Sequence, residues 1–373
     1  MRFIKPTPYY SLRIGGLPKG CQYCVKGKKL VLFVTGICSN SCFYCPISEK
    51  KKNKDVVYAN EWPTHKIENI IQEAKLCSSE GAGITGGDPL TRLERTCFYI
   101  RELKKHFGSG FHVHLYTPLK LVTKDNLKQL KNAGLDELRF HPDLDSQELW
   151  SNMNYLIEGL DYGVEIPVFP DKKMQTQKLI DFLAGLSLIK FLNLNELESS
   201  DTNELGTHGY EVKDDYSTGI EGSEDMGIEL MEYCLENTNL RVHYCTTTLK
   251  DSVQMAKRIK RRAKNVKLSF EKLNEQGLLK RHAVYLPELK PGFSYTTKLL
   301  TVKDKGKVLG KLVKLKEKLD CEKVEIDKAN YRLLMDKETI LSNKKWLKQE
   351  GFVPANVIEY PTYDKFIAEL EFL

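Results

Sequence analysis

The chain has 373 residues, of which 41% are hydrophobic, and a formal net charge of +7. This length allows one large core, or a large domain with a smaller one beside it. The amino-terminal segment MRFIKPTPYYSLRIGG lacks the uninterrupted apolar core of a signal peptide, and no run of about 18 apolar residues follows it. We therefore expect a soluble, cytoplasmic protein of about two domains that makes no contact with a membrane.

From about residue 30, short apolar runs alternate with amphipathic stretches. The candidate strands are LVLFVTG, GAGITGG, FHVHLYTP, DELRFHP, GVEIPVFP, IKFLNLN and LRVHYCT. Three of the segments between them have apolar residues at helical spacing and are predicted helices: WPTHKIENIIQEAKLCSSE, TRLERTCFYIRELKKHF and KDNLKQLKNAG. This pattern predicts six or seven βα units around a mostly parallel sheet, which binds ligands at the carboxyl ends of its strands.

The pattern changes twice towards the carboxyl terminus. The polar, acidic segment 196–224 lacks helical period and is a predicted long loop or lid. After residue 280 come the strand-like runs HAVYLPEL, SYTTKLLTV, KVLGKLVKL and KVEIDKANYRLLM and then a predicted helix, ETILSNKKWLKQEG. We therefore predict an amino-terminal segment 1–29, a domain 30–270 of βα units that form either a closed barrel or an open doubly wound sheet, and a smaller α+β domain 280–373.

Ten cysteines are present, and five of them lie within the first 45 residues. In a cytosolic protein such a group indicates metal ligands more than disulfides. The sequence TGICSNSCFYCP places Cys38, Cys42 and Cys45 in one tight loop directly after an apolar strand. Iron-sulfur clusters are commonly held by four cysteines, so three leave one iron open for another ligand.

This triplet, with Tyr44 before its last cysteine, resembles the CxxxCxxC signature of the radical S-adenosylmethionine (SAM) superfamily. The resemblance is to an archaeal-type subgroup that also has an amino-terminal CxxC. It implies an α/β fold, a partial (β/α)6-type TIM barrel, with a 4Fe-4S cluster on the three cysteines and SAM on the open iron. It also implies reductive cleavage of SAM to a 5′-deoxyadenosyl radical, with electrons from a reductant such as ferredoxin or flavodoxin. A zinc site or a chance grouping of core cysteines is the alternative.

The resemblance extends to polar positions at later strand ends. The family's Gly-Gly-Glu motif, which binds the methionine amino group of SAM, corresponds here to Gly86, Gly87 and Asp88. The acidic residue is one methylene shorter, which predicts a less direct contact. Further residues at strand ends that the resemblance implies for the ribose, adenine and carboxylate of SAM are Thr117, His141, Glu165, Asn195 and Glu196, with Glu198 close by.

Cys21 and Cys24 have the CxxC spacing of zinc knuckles, of iron-sulfur ligands and of redox dithiols. Two more ligands would complete a metal site, and the candidates are Cys245, His243 and Cys234. If the leading segment folds back over the barrel, Cys21, Cys24 and Cys245 would hold a second iron-sulfur cluster or zinc. A free or structural dithiol is the other interpretation.

Positive charge is concentrated between Lys257 and Arg281, with ten basic residues against two acidic ones. As a helix, DSVQMAKRIKRRAKNVK would direct Val253, Ala256, Ile259 and Ala263 towards the core. The outward basic residues would be Lys257, Arg258, Arg261, Arg262 and Lys264. This face is a candidate contact for the phosphates of RNA, to which the basic strands of the last domain would add, with Phe293 and Tyr295 beside them. A solvated helix is the alternative.

The leading interpretation is therefore a radical SAM enzyme that modifies a nucleoside in tRNA as a transferase. Within enzymology, the alternatives are an activating enzyme of the glycyl-radical type and an enzyme that acts on a small metabolite. From another class, the alternative is a zinc-dependent RNA-binding module without catalysis.

Overall fold

The computed structural model describes residues 2–214, 216–292 and 294–373, so the predicted contact residue Phe293 lies outside the described residues. Two compact units form, the first ending at Arg258 and the second running from Ile259 to Leu373. In these ranges, no helix is long and apolar enough to cross a membrane.

The amino-terminal segment forms a short hairpin and one short helix. Strands β1 (Ile4–Pro6) and β2 (Ser11–Ile14) pair antiparallel, and helix α1 (Lys19–Cys24) follows them. The sequence analysis did not predict these strands, because runs this short carry too little alternation to stand out.

Strand β3 (Lys29–Phe33) begins the parallel sheet, and the short antiparallel strands β4 (Tyr58–Ala59) and β5 (Trp62–Pro63) extend its outer edge. Six more parallel strands follow: β6 (Gly81–Thr85), β7 (His112–Thr117), β8 (Glu137–Phe140), β9 (Asp161–Val168), β10 (Ile189–Glu196) and β11 (Arg241–Cys245). All seven predicted strands are confirmed.

Parallel strands that are consecutive in the chain are also neighbours in the sheet, in the order β3, β6, β7, β8, β9, β10, β11. Strand β2 pairs antiparallel with β11, so the amino-terminal hairpin extends the far edge of the sheet. This consecutive order is that of a (β/α) barrel, and the fold is the predicted partial barrel. All seven carboxyl ends lie at one end of the sheet.

The helices that connect the strands are α2 (Ile67–Leu76), α3 (Leu93–Phe107), α4 (Lys124–Ala133), α5 (Lys173–Ala184), α6 (Ser223–Asn237) and α7 (Ala256–Val266). Helix α4 illustrates why they form. The Thr123 side chain caps it by accepting from the Asn126 amide, and Gly134 ends it at φ 99°. Its buried residues Leu127 and Leu130 face the sheet at helical spacing.

The two faces of the sheet have opposite chemistry. On β8, Leu138 and Phe140 are fully buried in the apolar core between sheet and helices. Glu137 and Arg139 alternate with them on the same strand, are equally buried, and lie inside the barrel. Because successive strand residues point to opposite faces, one strand serves both an apolar outer layer and a polar interior.

In its described residues, the second unit contains an antiparallel sheet, most of α7 and three further helices. Its strands are β12 (Lys272–Leu273), β13 (Leu279–Tyr285), β14 (Val324–Asp327), β15 (Arg332–Met335), β16 (Val353–Glu359) and β17 (Ile367–Phe372). The further helices are α8 (Tyr295–Leu300), α9 (Lys305–Leu319) and α10 (Lys337–Gln349).

Two predicted strands of this unit are wrong, because SYTTKLLTV contains α8 and KVLGKLVKL lies within α9. The alternation of lysine with apolar residues indicated a strand. The buried residues Leu312 and Leu315 are instead three apart, as on one helix face, and the Asp304 side chain caps α9 by accepting from the Lys307 amide. The basic residues of this region are therefore helical.

Candidate active site

The cysteine triplet lies in the loop after β3, at the carboxyl end of the sheet. Cys38, Cys42 and Cys45 all line one cavity of about 400 Å³, a volume typical of small-molecule sites. The Asn40 amide donates a hydrogen bond to Cys38 Sγ at 3.4 Å. Burial raises the pKa values of the Cys38 and Cys42 thiols. The loop therefore presents three thiols to one open cavity.

The glycine pair after β6 lies directly against this loop. The Gly87 amide donates to the Thr35 carbonyl and the Asp88 amide to the Ile37 carbonyl, both at 2.8 Å. A Cβ on Gly86 would collide with the Thr35 carbonyl oxygen, and one on Gly87 would lie 2.8 Å from Cys38 Cβ. Only glycine permits this approach, which leaves both residues in the wall of the cavity.

Asp88 is fully buried and faces the protein, whereas the glycines before it line the cavity. Its carboxylate accepts hydrogen bonds from the Thr117 hydroxyl at 2.8 Å, from the Leu90 amide at 3.0 Å and from the Ser39 hydroxyl at 3.2 Å. Burial raises its pKa, although these three donors act in the opposite direction. The shorter acidic side chain therefore ties the loops together, and its less direct contact with a ligand stays a prediction.

Tyr44 and His141 form a neutral pair at the cavity wall. Because a carbonyl can only accept, His141 Nδ1 carries the proton that it donates to the Glu165 main-chain oxygen at 2.8 Å. His141 Nε2 therefore accepts from the Tyr44 hydroxyl at 3.0 Å. Burial lowers the pKa of His141 and raises that of Tyr44, so both are uncharged at neutral pH.

The Glu165 carboxylate is held by three donors from inside the barrel. Arg139 donates at 2.7 Å, the Asn193 amide at 2.8 Å and the Asn195 amide at 3.0 Å. Burial by itself would raise the pKa of Glu165, but Arg139 and the two amides lower it below its usual range. Glu165 and Asn195 both line the cavity, where they present fixed polar atoms.

Glu196 is also part of the cavity wall and is buried. Its carboxylate accepts from the Thr247 amide at 2.7 Å and pairs with Lys213. Lys250 and Glu198, which form an ion pair at 3.0 Å, line the same wall. Sequence reasoning missed Lys250, although its position just after the strand end at Cys245 was an available signal.

Helix α1 fills the polar interior of the barrel. The Gly20 amide donates to Glu137 at 3.0 Å, and a side chain at this position would meet His114 Nδ1 at 2.8 Å. Cys21 Sγ accepts from Arg139 and from Asn193, each at 3.4 Å. Burial is the main cause that raises the pKa of Cys21 to about 12. The first CxxC cysteine is thus a buried thiol among charged groups.

Cys245 has apolar neighbours, in contrast to Cys21. It packs with Val25, Leu249 and Val253. Burial is the main cause that raises its pKa. The alternative ligand Cys234 is instead part of helix α6 in the apolar core.

Within the described ranges, no three His, Cys, Asp or Glu side chains converge closely enough to hold a single metal ion. The second metal site on Cys21, Cys24 and Cys245 therefore stays a prediction. A 4Fe-4S cubane differs from a single ion, because each of its cysteine ligands binds a separate iron. The three thiols in the wall of one cavity, beside two glycines, fit the donor set of such a cluster.

The predicted outward basic face is wrong in part. Arg262 is buried and donates to the Pro361 carbonyl, and Lys257 donates to the Val25 carbonyl at 2.9 Å. Arg258 and Arg261 are half-buried, and Lys264 is exposed. A π-helical segment, Leu249–Met255, precedes α7, and its wider turns change which residues of the following helix face outward.

With this geometry established, the comparisons with known proteins agree on one class. The model of the radical SAM superfamily matches residues 32–158, which include the cysteine loop and the glycine pair. A protein of Methanocaldococcus jannaschii is 47% identical over 285 residues, which are 73% of this chain and 75% of that protein. Its name assigns it provisionally to the glycyl-radical enzyme activating enzymes.

The chain belongs to the radical SAM superfamily and is a radical SAM enzyme. The cofactors of this family, a 4Fe-4S cluster and SAM, are its cofactors. Among solved structures, methylornithine synthase is similar at 12% identity with a TM-score of 0.40, covering 58% of this chain and 67% of that one. The FeFe-hydrogenase maturase HydG is similar at 11% identity with a TM-score of 0.41, covering 66% of each chain.

Proposed function

We propose that Cys38, Cys42 and Cys45 hold the 4Fe-4S cluster and that the enzyme cleaves SAM reductively to a 5′-deoxyadenosyl radical. One observation carries this proposal: the three thiols and the Gly86–Gly87 backbone line the same cavity at the carboxyl end of the barrel. The cluster, when bound and reduced by a donor such as ferredoxin or flavodoxin, supplies the electron that breaks the S–C5′ bond.

The surrounding residues bind and orient SAM. The Gly86 and Gly87 backbone lets the amino acid part of SAM approach the cysteine loop, and Asp88 fixes that backbone through Ser39 and Thr117. The ionised Glu165 and Asn195 offer an acceptor and a donor to further polar groups of SAM. Tyr44 and His141 contribute to the cavity wall without adding charge.

The direct test is an anaerobic reaction of the reconstituted enzyme with SAM and dithionite. We expect 5′-deoxyadenosine from the wild-type protein and none from Cys45→Ser, because that variant lacks one of the three ligands. Cys321→Ser is the matched control, since Cys321 lies in the second unit and lines no part of this cavity. A fully loaded wild-type enzyme that leaves SAM intact would refute the proposal.

For the substrate, we propose a polypeptide from which hydrogen is abstracted, as the name of the Methanocaldococcus relative suggests for that protein. The tRNA interpretation depended on an exposed basic helix, and Arg262 and Lys257 instead donate to main-chain carbonyls. It therefore has less support than the polypeptide.

Bulk tRNA, added to the same reaction, separates the two substrate classes. Substrates often accelerate SAM cleavage because they complete the site, so a polypeptide-directed enzyme should ignore tRNA. A several-fold acceleration by tRNA, followed by a new modified nucleoside in its digest, would overturn the polypeptide proposal and restore tRNA modification.

A further inference from the structure

A second cavity, of about 680 Å³, lies beside the cofactor cavity in the first unit. Three chain segments surround it: the amino-terminal hairpin around Tyr10, the loop around Lys213, and the turn after β11 around Thr247. Glu196 lines both cavities. The second cavity therefore adjoins the place where we put SAM, with the Glu196 side chain in the wall between them.

The wall is held in shape by hydrogen bonds between these segments. The Thr246 hydroxyl donates to the Tyr10 carbonyl at 2.5 Å, and the Thr247 hydroxyl donates to Glu196 at 3.1 Å. Thr7 and Ser11 share a hydrogen bond at 2.7 Å within the hairpin. Because the partners of the first two bonds lie far apart in the chain, the cavity belongs to the folded barrel and is not the surface of a single loop.

Hydroxyl groups dominate the lining. They come from Thr7, Tyr10, Ser11, Tyr216, Ser217, Thr218, Thr246, Thr247, Thr248 and Ser252. Thr246 and Thr247 already donate to protein acceptors, but a hydroxyl can both donate and accept, so the wall as a whole suits a ligand rich in amide N–H and C=O groups. The main chain of a polypeptide has this character, with one donor and one acceptor per residue.

The charged residues of the lining give the cavity a negative sign. Four carboxylates, Glu196, Asp214, Glu224 and Asp251, stand against one lysine, Lys213. Lys213 pairs with both Glu196 and Glu224 at its end of the wall. Asp214 and Asp251 are exposed. A phosphate backbone would be repelled here, whereas a cationic side chain would be attracted.

We propose that this cavity, which we call the substrate cavity, receives an extended polypeptide segment that carries an arginine or lysine. Its main chain would contact the hydroxyl-rich wall, its basic side chain would pair with Asp251, and the adjoining residue would reach the cofactor cavity past Glu196. This inference rests on the proposed function, because it assigns the substrate class to the site beside the SAM pocket.

Binding of labelled probes to the purified full-length protein tests the inference without depending on SAM cleavage. The probes are a heptapeptide of glycine and serine with two arginines, the same peptide with two glutamates, and a uridine octanucleotide. Fluorescence anisotropy should show that the arginine peptide binds about tenfold more tightly than either anionic probe, since the carboxylates of the lining attract cations and repel anions.

The variants localise the effect. Asp251→Lys should weaken the arginine peptide by about tenfold or more, whereas Glu236→Lys, an exposed acidic position of α6 outside the cavity, should change it by less than about twofold. Equal binding of the two peptides, equal effects of the two variants, or tightest binding of the octanucleotide would each overturn the proposal. Competition by spermine as strong as by the peptide would assign the cavity to small cations and also overturn it.

The 5′-deoxyadenosine assay is run separately on the same wild-type preparation. Failure of the peptide to bind while SAM is cleaved would remove the substrate cavity and leave the proposed reaction intact. Binding with the predicted selectivity by a protein that cannot cleave SAM would support the substrate cavity and refute the proposed cleavage reaction.

Discussion

The two ends of the same barrel use polar residues in opposite ways. At the carboxyl end, the polar side chains Tyr44, Glu165 and Asn195 line an open cavity. At the amino end, α1 closes the interior, and Glu137 and Arg139 are bonded to each other and to the protein around them. The difference shows that charge inside a barrel is not by itself a sign of a site. The functional end differs in that its polar side chains line a cavity that a ligand can enter.

The largest expected effect is at the open end. Cys42→Ala should abolish SAM cleavage and remove the iron-sulfur absorbance, because the loop then offers two cluster ligands instead of three. Iron content and the ultraviolet-visible spectrum after anaerobic reconstitution measure this. Cys97→Ala should bind as much iron as the wild type, because Cys97 belongs to α3 and packs in the apolar core. If both variants retained iron equally, the triplet would not be the cluster site.

At the closed end, Arg139→Met should lower the free energy of unfolding by about 3–5 kcal/mol, since it leaves the buried Glu137 and the half-buried Glu165 without their cation. Urea denaturation measures the loss. Arg101→Met, at an exposed position of α3, should change it by less than about 0.5 kcal/mol. If Arg139→Met lowered the free energy of unfolding by less than about 1 kcal/mol, water would have to reach these carboxylates more than the structure indicates.

Gly87→Ala should lower both SAM affinity and stability, because the new methyl group would lie 2.8 Å from Cys38 Cβ and push the two loops apart. We expect the free energy of unfolding to fall by about 1–3 kcal/mol, as it does at other overpacked sites. Gly110→Ala is the matched control, since a Cβ there meets nothing within 4 Å. An alanine at Gly87 that bound SAM normally would mean that the loops are not held in contact.

Acid should destabilise the closed end because the buried His243 becomes protonated. Burial lowers the pKa of His243 from 6.5 to about 4. Between these values the unfolded chain binds more protons than the folded one, so stability is full above pH 6.5 and falls as the pH decreases towards 4. At pH 5 this amounts to about 1–2 kcal/mol. The difference between urea midpoints at pH 7 and pH 5 should shrink in His243→Gln and stay unchanged in the exposed His106→Gln. A wild-type midpoint independent of pH in this range would contradict the assignment.

The sequence predicted the parts of the structure that repeat or stand close together in the chain. The seven parallel strands followed from apolar runs with helical segments between them, and Cys38, Cys42 and Cys45 followed from their spacing. The glycine pair was found for the same reason, because its motif directly follows a strand. The strands predicted at α8 and α9 failed because lysine and leucine alternate there over a few residues while also keeping helical spacing.

Other features depended on contacts between distant residues. The roles of Asp88 and Thr117 required a hydrogen bond between two loops, and the burial of Arg262 required a segment nearly a hundred residues later in the chain. The substrate cavity combines three segments, none of which has a motif of its own. No local pattern encodes such contacts, since they arise only when the strands are placed side by side.

The sequence by itself thus determined the superfamily, the positions of the seven barrel strands along the chain and the cysteine ligands that we propose, because each is set by local spacing. The tertiary structure decided which polar residues bond to other protein groups and which line a cavity. Gly20 and Glu137 bond across 117 positions, and that contact places α1 inside the barrel. Burial and pairing are properties of the folded chain, so only the fold could separate the closed end from the end that can bind a ligand.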